Sequence, residues 1–249
     1  MTSSTEQPAP AAGFALHKYL EYRMRVWLGR AYSPKLTARL DHQMLGGSGY
    51  GGWPSLLARL DADSVVYSVG VGFDIGFDLD LIAATGASVL ALDPTPDVIG
   101  WISEQVALPS QFEFRPVGLA WQDGELAFAP PQRPDAVSGT LVAADGVAGH
   151  YLVPVKRLAT LMQEFGHQHI DLLKLDIEGA EYQVIDDMLA SGIYPDQLLV
   201  EFHHGKRAKG RYPVAATHAR VCALQQLGYC LFWASHTGRE LAFARLDAS

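Results

Sequence analysis

An α/β fold with a mostly parallel seven-stranded sheet, helices on both faces and a helical N-terminal extension is what this sequence predicts, on three observations. From Ser64 onward, short apolar runs alternate with segments of helical period, the pattern of parallel strands joined by crossover helices. A glycine-pinched turn, Val69-Gly70-Val71-Gly72, follows the first run, and an acid, Asp93, ends the second. With 249 residues, nearly half of them hydrophobic, the chain is long enough for one large α/β domain with a substantial core.

Residues 1–13 are rich in Ser, Thr, Pro and Ala, a composition that buries too little surface to offset its ordering entropy and predicts a disordered tail. Residues 14–45 predict a helical extension, with Leu16, Leu20, Trp27 and Leu28 on one face and a break near Gly29 and Pro34. Its polar positions carry Lys18, Arg23, Arg25, Arg30, Lys35 and Arg39 against Glu21. A solvated face accounts for these charges, and a lid or partner surface is the alternative. The main domain is expected over 46–249, opening on the glycine-rich stretch 46–52 as a hinge or linker. Strands are expected at 65–70, 88–93, 112–118, 170–176, 197–203, 229–234 and 240–245, and helices at 74–85, 96–106, 156–165, 179–190 and 214–227. Between Gly124 and Tyr151 the alternation breaks, and two short apolar runs around Pro130 and Pro131 predict a hairpin insertion.

A formal charge of −8 argues against a general polyanion-binding surface. Cys222 and Cys230 lack the spacing of a disulfide framework or zinc site and read as reduced core residues. The sequence shows neither a long apolar run nor a signal-peptide pattern. The expectation is a soluble, cytoplasmic protein with a small-molecule substrate and no nucleic-acid or membrane partner. A homodimer is compatible with the composition.

Gly70 and Gly72 let the backbone leave the first strand sharply and approach a ligand without a Cβ in the way, while the following helix points its amides at that ligand. Asp93 lies about 20 residues on, where an acid accepts hydrogen bonds from ribose hydroxyls. A dinucleotide fingerprint needs a third glycine where this chain has Ile75. Asp74 and Asp78 moreover make the turn a poor host for an anion. A cofactor with a positive end, S-adenosylmethionine, fits better than NAD. An NAD-dependent oxidoreductase and a non-catalytic cofactor-binding module are the alternatives.

The run Leu172 to Leu189 is a strand ending in Asp176, with Glu178 at the same parity, flowing through Gly179 into a helix. The next strand ends with Glu201 and His203 at matching parity. Ligands of open parallel sheets bind outside the carboxyl ends of strands, so these groups should share one crevice. They suit a general base for a substrate hydroxyl or ligation of a magnesium ion, Asp176 and Glu201 being the candidate metal ligands. Lys206, Arg207, Lys209 and Arg211 follow on a loop and read as solvated or as an anion clamp.

The segments Val65 to Ile82, Ala91 to Pro96, Leu172 to Leu189 and Leu198 to His204 resemble the FkbM family of S-adenosylmethionine-dependent methyltransferases. That resemblance implies a class I, Rossmann-like methyltransferase fold and O-methylation of a hydroxyl on a sugar or secondary metabolite. It places the cofactor motif on Ser68, Gly70, Gly72 and Asp74 and the ribose acid on Asp93, and brings Asp123 near the adenine or methionine end. It matches Asp176 to the acid after the fourth strand, with Glu201 and His203 as the other candidate catalytic groups.

Overall fold

The computed structural model describes residues 16–47, 52–129, 140–142, 151–205 and 212–246. Helix α1 (Leu16–Trp27) is followed by a hairpin of β1 (Gln43–Leu45) and β2 (Trp53–Ser55). The main alternation then runs β3 (Val65–Val69), α2 (Gly76–Thr85), β4 (Ser88–Leu92), α3 (Pro96–Ser103) and β5 (Phe112–Arg115). Four strands break it: β6 (Gly118–Leu119), β7 (Gly124–Ala129), β8 (Thr140–Val142) and β9 (Tyr151–Lys156). It resumes with α4 (Leu158–Phe165), β10 (Leu172–Leu175), α5 (Glu181–Ala190), β11 (Gln197–Glu201) and α6 (Val214–Gln226), and closes with β12 (Tyr229–Ala234) and β13 (Glu240–Arg245).

Seven strands form the main sheet in the order β12-β13-β11-β10-β3-β4-β5, with β13 antiparallel to both neighbours and the others parallel. Each is one of the strands expected from its apolar run. The runs are continuous because strands covered on both faces need apolar residues at every position. Alternate residues divide between two layers. Val66, Val89, Ala91, Leu172 and Leu199 pack against Phe77 and Leu81 of α2, Val98 and Ile102 of α3, and Trp53 of β2. Tyr67, Val69, Leu173, Leu175 and Val200 pack against Leu158 of α4, Tyr182 and Ile185 of α5 and Leu224 of α6. Each such side chain contributes about 1.5–3 kcal/mol by leaving water.

Three features depart from the expectation. The helical extension stops at Trp27. Strand β1 begins before the expected boundary at residue 46 and pairs across it with β2, burying Leu45 and Trp53 in the core. The glycine-rich stretch begins at this hairpin, tied to α2 where the Gly46 amide donates to Asp80 Oδ2 at 2.9 Å, and its residues 48–51 lie outside the described residues. Finally, the expected insertion hairpin of β7 and β8 is part of a four-stranded sheet, β6-β9-β7-β8, that also recruits β6 and β9. The tail over 1–13 lies outside the described residues.

Candidate active site

At the end of β3 the chain turns through Gly70 and Gly72, both with positive φ, +77° and +57°. A Cβ on Gly70 would lie 1.8 Å from the Asp176 carbonyl oxygen, so only glycine lets this turn press against the end of β10. A Cβ on Gly72 would meet nothing within 4 Å: that position faces open space. Buried Asp93, just past β4, accepts the Gly72 amide at Oδ2 (3.0 Å) and the Thr95 amide at Oδ1 (2.9 Å). The carboxylate that sequence assigns to a ribose is thus already aimed by two amides, and each oxygen keeps a lone pair for a ligand. Ile75, in place of a third glycine, is buried in the core.

Three other expected cofactor residues have partners within the scaffold. Asp74 is exposed, and its Oδ1 accepts the Gly76 amide at 2.8 Å, satisfying a donor left free at the start of α2. Ser68 is fully buried in mid-strand, facing the α2 layer beside Asp78 and Lys174. Buried Lys174 spans this polar pocket, its Nζ 3.5 Å from the Gly70 carbonyl and 5.7 Å from the Trp53 ring centre. Burial pushes the Asp78 carboxyl up to about 6, with Lys174 pulling the other way. Asp123 is exposed and caps α4, accepting the Arg157 amide and the Thr160 hydroxyl, both at 2.8 Å. The hydrogen bond from Arg157 lowers its pKa first among several causes.

The ends of β10 and β11 do bring Asp176, Glu178, Glu201 and His203 together, as the strand parities require. His203 is buried. Its Nε2 lies 3.3 Å from Glu178 and 3.6 Å from Glu201, while its Nδ1 is 2.6 Å from Oε1 of Glu181. Glu181 is fully buried, and the same oxygen accepts the Gly179 amide at 3.0 Å. Sequence reasoning passed over Glu181 because an acid in the first turn of a helix reads as a partner of the helix dipole. The available signal was its spacing of three from Glu178, which places both acids on one side of the turn.

Electrostatics sets the roles. Burial alone would pull the His203 imidazole down, but Glu181, Glu178 and Glu201 hold it up at about 10. The acids thus favour the imidazolium, in which His203 donates to Glu181 and Glu178. Glu201 is pushed up to about 8 by burial and by the charge of Asp176, and Asp176 is raised chiefly by burial. Asp176, Glu178, Glu181 and Glu201 crowd around His203, with Lys174 also drawing Asp176 down, and protonation of Glu201 or a cationic ligand relieves that crowding. Glu178 occupies the left-handed region at φ +51°, a strained backbone of the kind that persists at functional sites. The small sheet supports this turn: Ala120, Leu126, Phe128, Val153 and Val155 pack with Ala180 and Ile177. The cationic loop from Lys206 to Arg211 lies outside the described residues.

Ligand atoms of Asp176, Glu178 and His203 lie within 4.8 Å of one another, whereas Glu201, expected as a metal ligand, is not in that group. The set does not fit magnesium. That ion prefers six oxygens in octahedral array, and here one donor is an imidazole whose nitrogens are engaged by carboxylates.

With this geometry in place, the profile of a family described as the methyltransferase FkbM domain matches residues 70–231, from the glycine turn to β12. Probable methyltransferase-like protein 24 of Homo sapiens is 26% identical over 141 residues, 55% of this chain and 32% of that protein. Its counterpart from Rattus norvegicus is 28% identical over the same shares. The chain thus spans about a third of the length of these curated relatives. Among solved structures, an rRNA methylase from Streptococcus thermophilus aligns with 77% of this chain and 92% of its own, at 14% identity and a TM-score of 0.44. Fibrillarin from Aeropyrum pernix, solved with S-adenosyl-L-methionine, covers 74% of this chain and 66% of its own, at 10% identity and a TM-score of 0.38.

Proposed function

The chain belongs to the FkbM methyltransferase family, and from that premise we propose that it is a cytoplasmic S-adenosylmethionine-dependent O-methyltransferase acting on a hydroxyl of a sugar or secondary metabolite. One observation supports this most: the Gly70 turn abuts Asp176, so a cradle for a nucleoside and a ring of crowded acids meet in one crevice. The cradle suits the adenosyl group, with the Asp93 carboxylate receiving the ribose hydroxyls. The ring suits the sulfonium, whose positive charge offsets the burial and, after it, the neighbouring acids that raise Asp176 and Glu201.

In the reaction, an acceptor oxygen attacks the methyl carbon in line, the carbon–sulfur bond breaks with its electron pair going to sulfur, and S-adenosylhomocysteine leaves. The acceptor proton passes to a carboxylate. Glu201, protonated at neutral pH because its carboxyl is pushed up to about 8, is the assigned base once the entering sulfonium displaces that proton, and such proton transfer is worth roughly 10²–10⁴ in rate. Asp176 is the second carboxylate within reach. His203, fixed by Glu181 through Nδ1, turns its Nε2 toward Glu178 and Glu201 and holds positive charge beside them. Positioning of the acceptor against the methyl group supplies the larger remainder of the acceleration.

Calorimetric titration with S-adenosylmethionine tests the cofactor, and transfer of labelled methyl to a panel of hydroxylated small molecules tests the chemistry. Binding with a Kd between about 1 µM and 1 mM is expected, in the range of ordinary enzyme substrates. No heat at millimolar cofactor would remove the reading, and label appearing on amines alone would change O- to N-methylation.

A further inference from the structure

Helix α1 turns its apolar side away from the protein. Leu20, Met24 and Trp27, at i, i+4 and i+7, share one side of the helix, and they are 57%, 56% and 84% exposed. Tyr22 and Val26, on the roughly opposite side, are half-buried, and the Tyr22 hydroxyl donates to the Tyr32 carbonyl at 2.6 Å. The side that periodicity marks as a core face is therefore open, while the helix is fastened by its other side. Arg23 stands within the apolar stripe, three residues after Leu20 and four before Trp27. Arg30 follows just beyond the helix, and both arginines are exposed. Among the described residues, no acid forms an ion pair with either.

The position of α1 gives this face a direction. A Cβ on Gly238, in the turn after β12, would lie 2.2 Å from the Tyr32 carbonyl oxygen and 3.0 Å from the Tyr22 hydroxyl. One on Gly205, two residues past His203, would lie 4.0 Å from the Arg30 carbonyl oxygen. Both are at the carboxyl edge of the sheet, so α1 flanks the crevice, and Arg25 acts electrostatically on His204 there.

We propose that α1 seats the carboxyl edge of the protein on an anionic phospholipid surface, with Leu20, Met24 and Trp27 entering the interfacial layer and Arg23 and Arg30 meeting the headgroups. A convex helix with a tryptophan and leucine on one side and flanking arginines has the form of an interfacial anchor. Charge selects the occupant. On a protein of net charge −8, this local excess of arginine is attracted to an anionic surface. Two copies of α1 set face to face across a twofold axis would instead oppose Arg23 with Arg23, with no acid in the stripe to answer it. No helix among the described residues is long and apolar enough to cross a membrane, and an interfacial helix needs no such length. The proposal replaces the sequence expectation of no membrane partner, and it stands without the methyltransferase reading.

Flotation of the full chain with vesicles of phosphatidylcholine alone, or of phosphatidylcholine and phosphatidylglycerol in equal parts, tests it without cofactor. Binding on the order of tenfold stronger to the anionic vesicles is expected, weakening as salt is raised. The combined Leu20→Ser, Met24→Ser and Trp27→Ser variant should lose it, and Arg23→Glu should reduce it severalfold, with thermal unfolding of both as in the parent. The proposal is overturned by equal binding to both vesicles, by none to either, or by a triple serine variant that floats as the parent does. It is also overturned if light scattering shows a two-chain species that the triple variant converts to single chains, since the stripe would then be a self-association face.

Discussion

At the ends of β3 and β4 the acids are bonded to backbone amides, Asp93 to Gly72 and Thr95 and Asp74 to Gly76. At the ends of β10 and β11 the acids face one another across the single imidazole of His203. Asp176, Glu201 and His203 in the second set are all displaced upward. The contrast separates two jobs that share a crevice. Amides hold a carboxylate in place and satisfy it before any ligand arrives, which suits a rigid cradle. Carboxylates crowded around one cation keep unsatisfied charge whose protonation changes when a positive ligand enters, which suits proton transfer.

Two substitutions pull the halves apart. Glu201→Gln should have the largest effect: turnover falls by about 10²–10⁴, the share a general base supplies, while calorimetric affinity for S-adenosylmethionine changes by less than about threefold, since one carboxylate of four is removed from a crowded ring. Its thermal midpoint should hold near that of the parent, because an amide replaces a carboxyl already pushed up to about 8. Gly72→Ala should do the reverse. The new methyl group enters open space rather than protein, so the fold bears only the strain of alanine at φ +57°, on the order of 1 kcal/mol. The cofactor then meets that methyl group, and affinity drops by roughly tenfold or more while turnover at saturating cofactor is largely kept. If either variant lost binding and turnover together, the two regions would be one functional unit and the division would fail.

The sheet was legible in the sequence and much of the crevice was not, for physical reasons. Strands covered on both faces leave continuous apolar runs, so β3, β4, β10 and β11 announce themselves. Strand β9 carries Pro154, β6 has two residues and β1 and β2 three each, and their pairing is fixed by distant partners that local pattern does not encode. Strand parity correctly gathered Asp176, Glu178, Glu201 and His203, because alternation is a local rule. Glu181 escaped because its contact with His203 joins a helix start to a strand end 22 residues away. Parity found His203, but not how many carboxylates surround its ring and raise its hold on a proton, which needs three dimensions. In α1 the period showed the shared face but not its direction, since amphipathicity marks an apolar side without saying where the rest of the protein lies.

Asp123 is the smallest and sharpest test of where the cradle stops. Family resemblance places it near the cofactor, whereas the structure spends both its oxygens on α4, one on the Arg157 amide and one on the Thr160 hydroxyl. Those bonds satisfy a donor that the helix start would otherwise leave to water, a role worth about 1 kcal/mol. Asp123→Ala should therefore lower the thermal midpoint by about 2–4 °C for a chain of this size. Its calorimetric affinity for S-adenosylmethionine should match the parent. Arg157 also pairs with Asp187 of α5, so α4 keeps a second tether and the loss stays local. The opposite result, weaker cofactor binding with an unmoved midpoint, would mean that Asp123 leaves the cap to meet the ligand. The cradle would then extend from the glycine turn to α4, and its acids would no longer be fixed before the cofactor arrives.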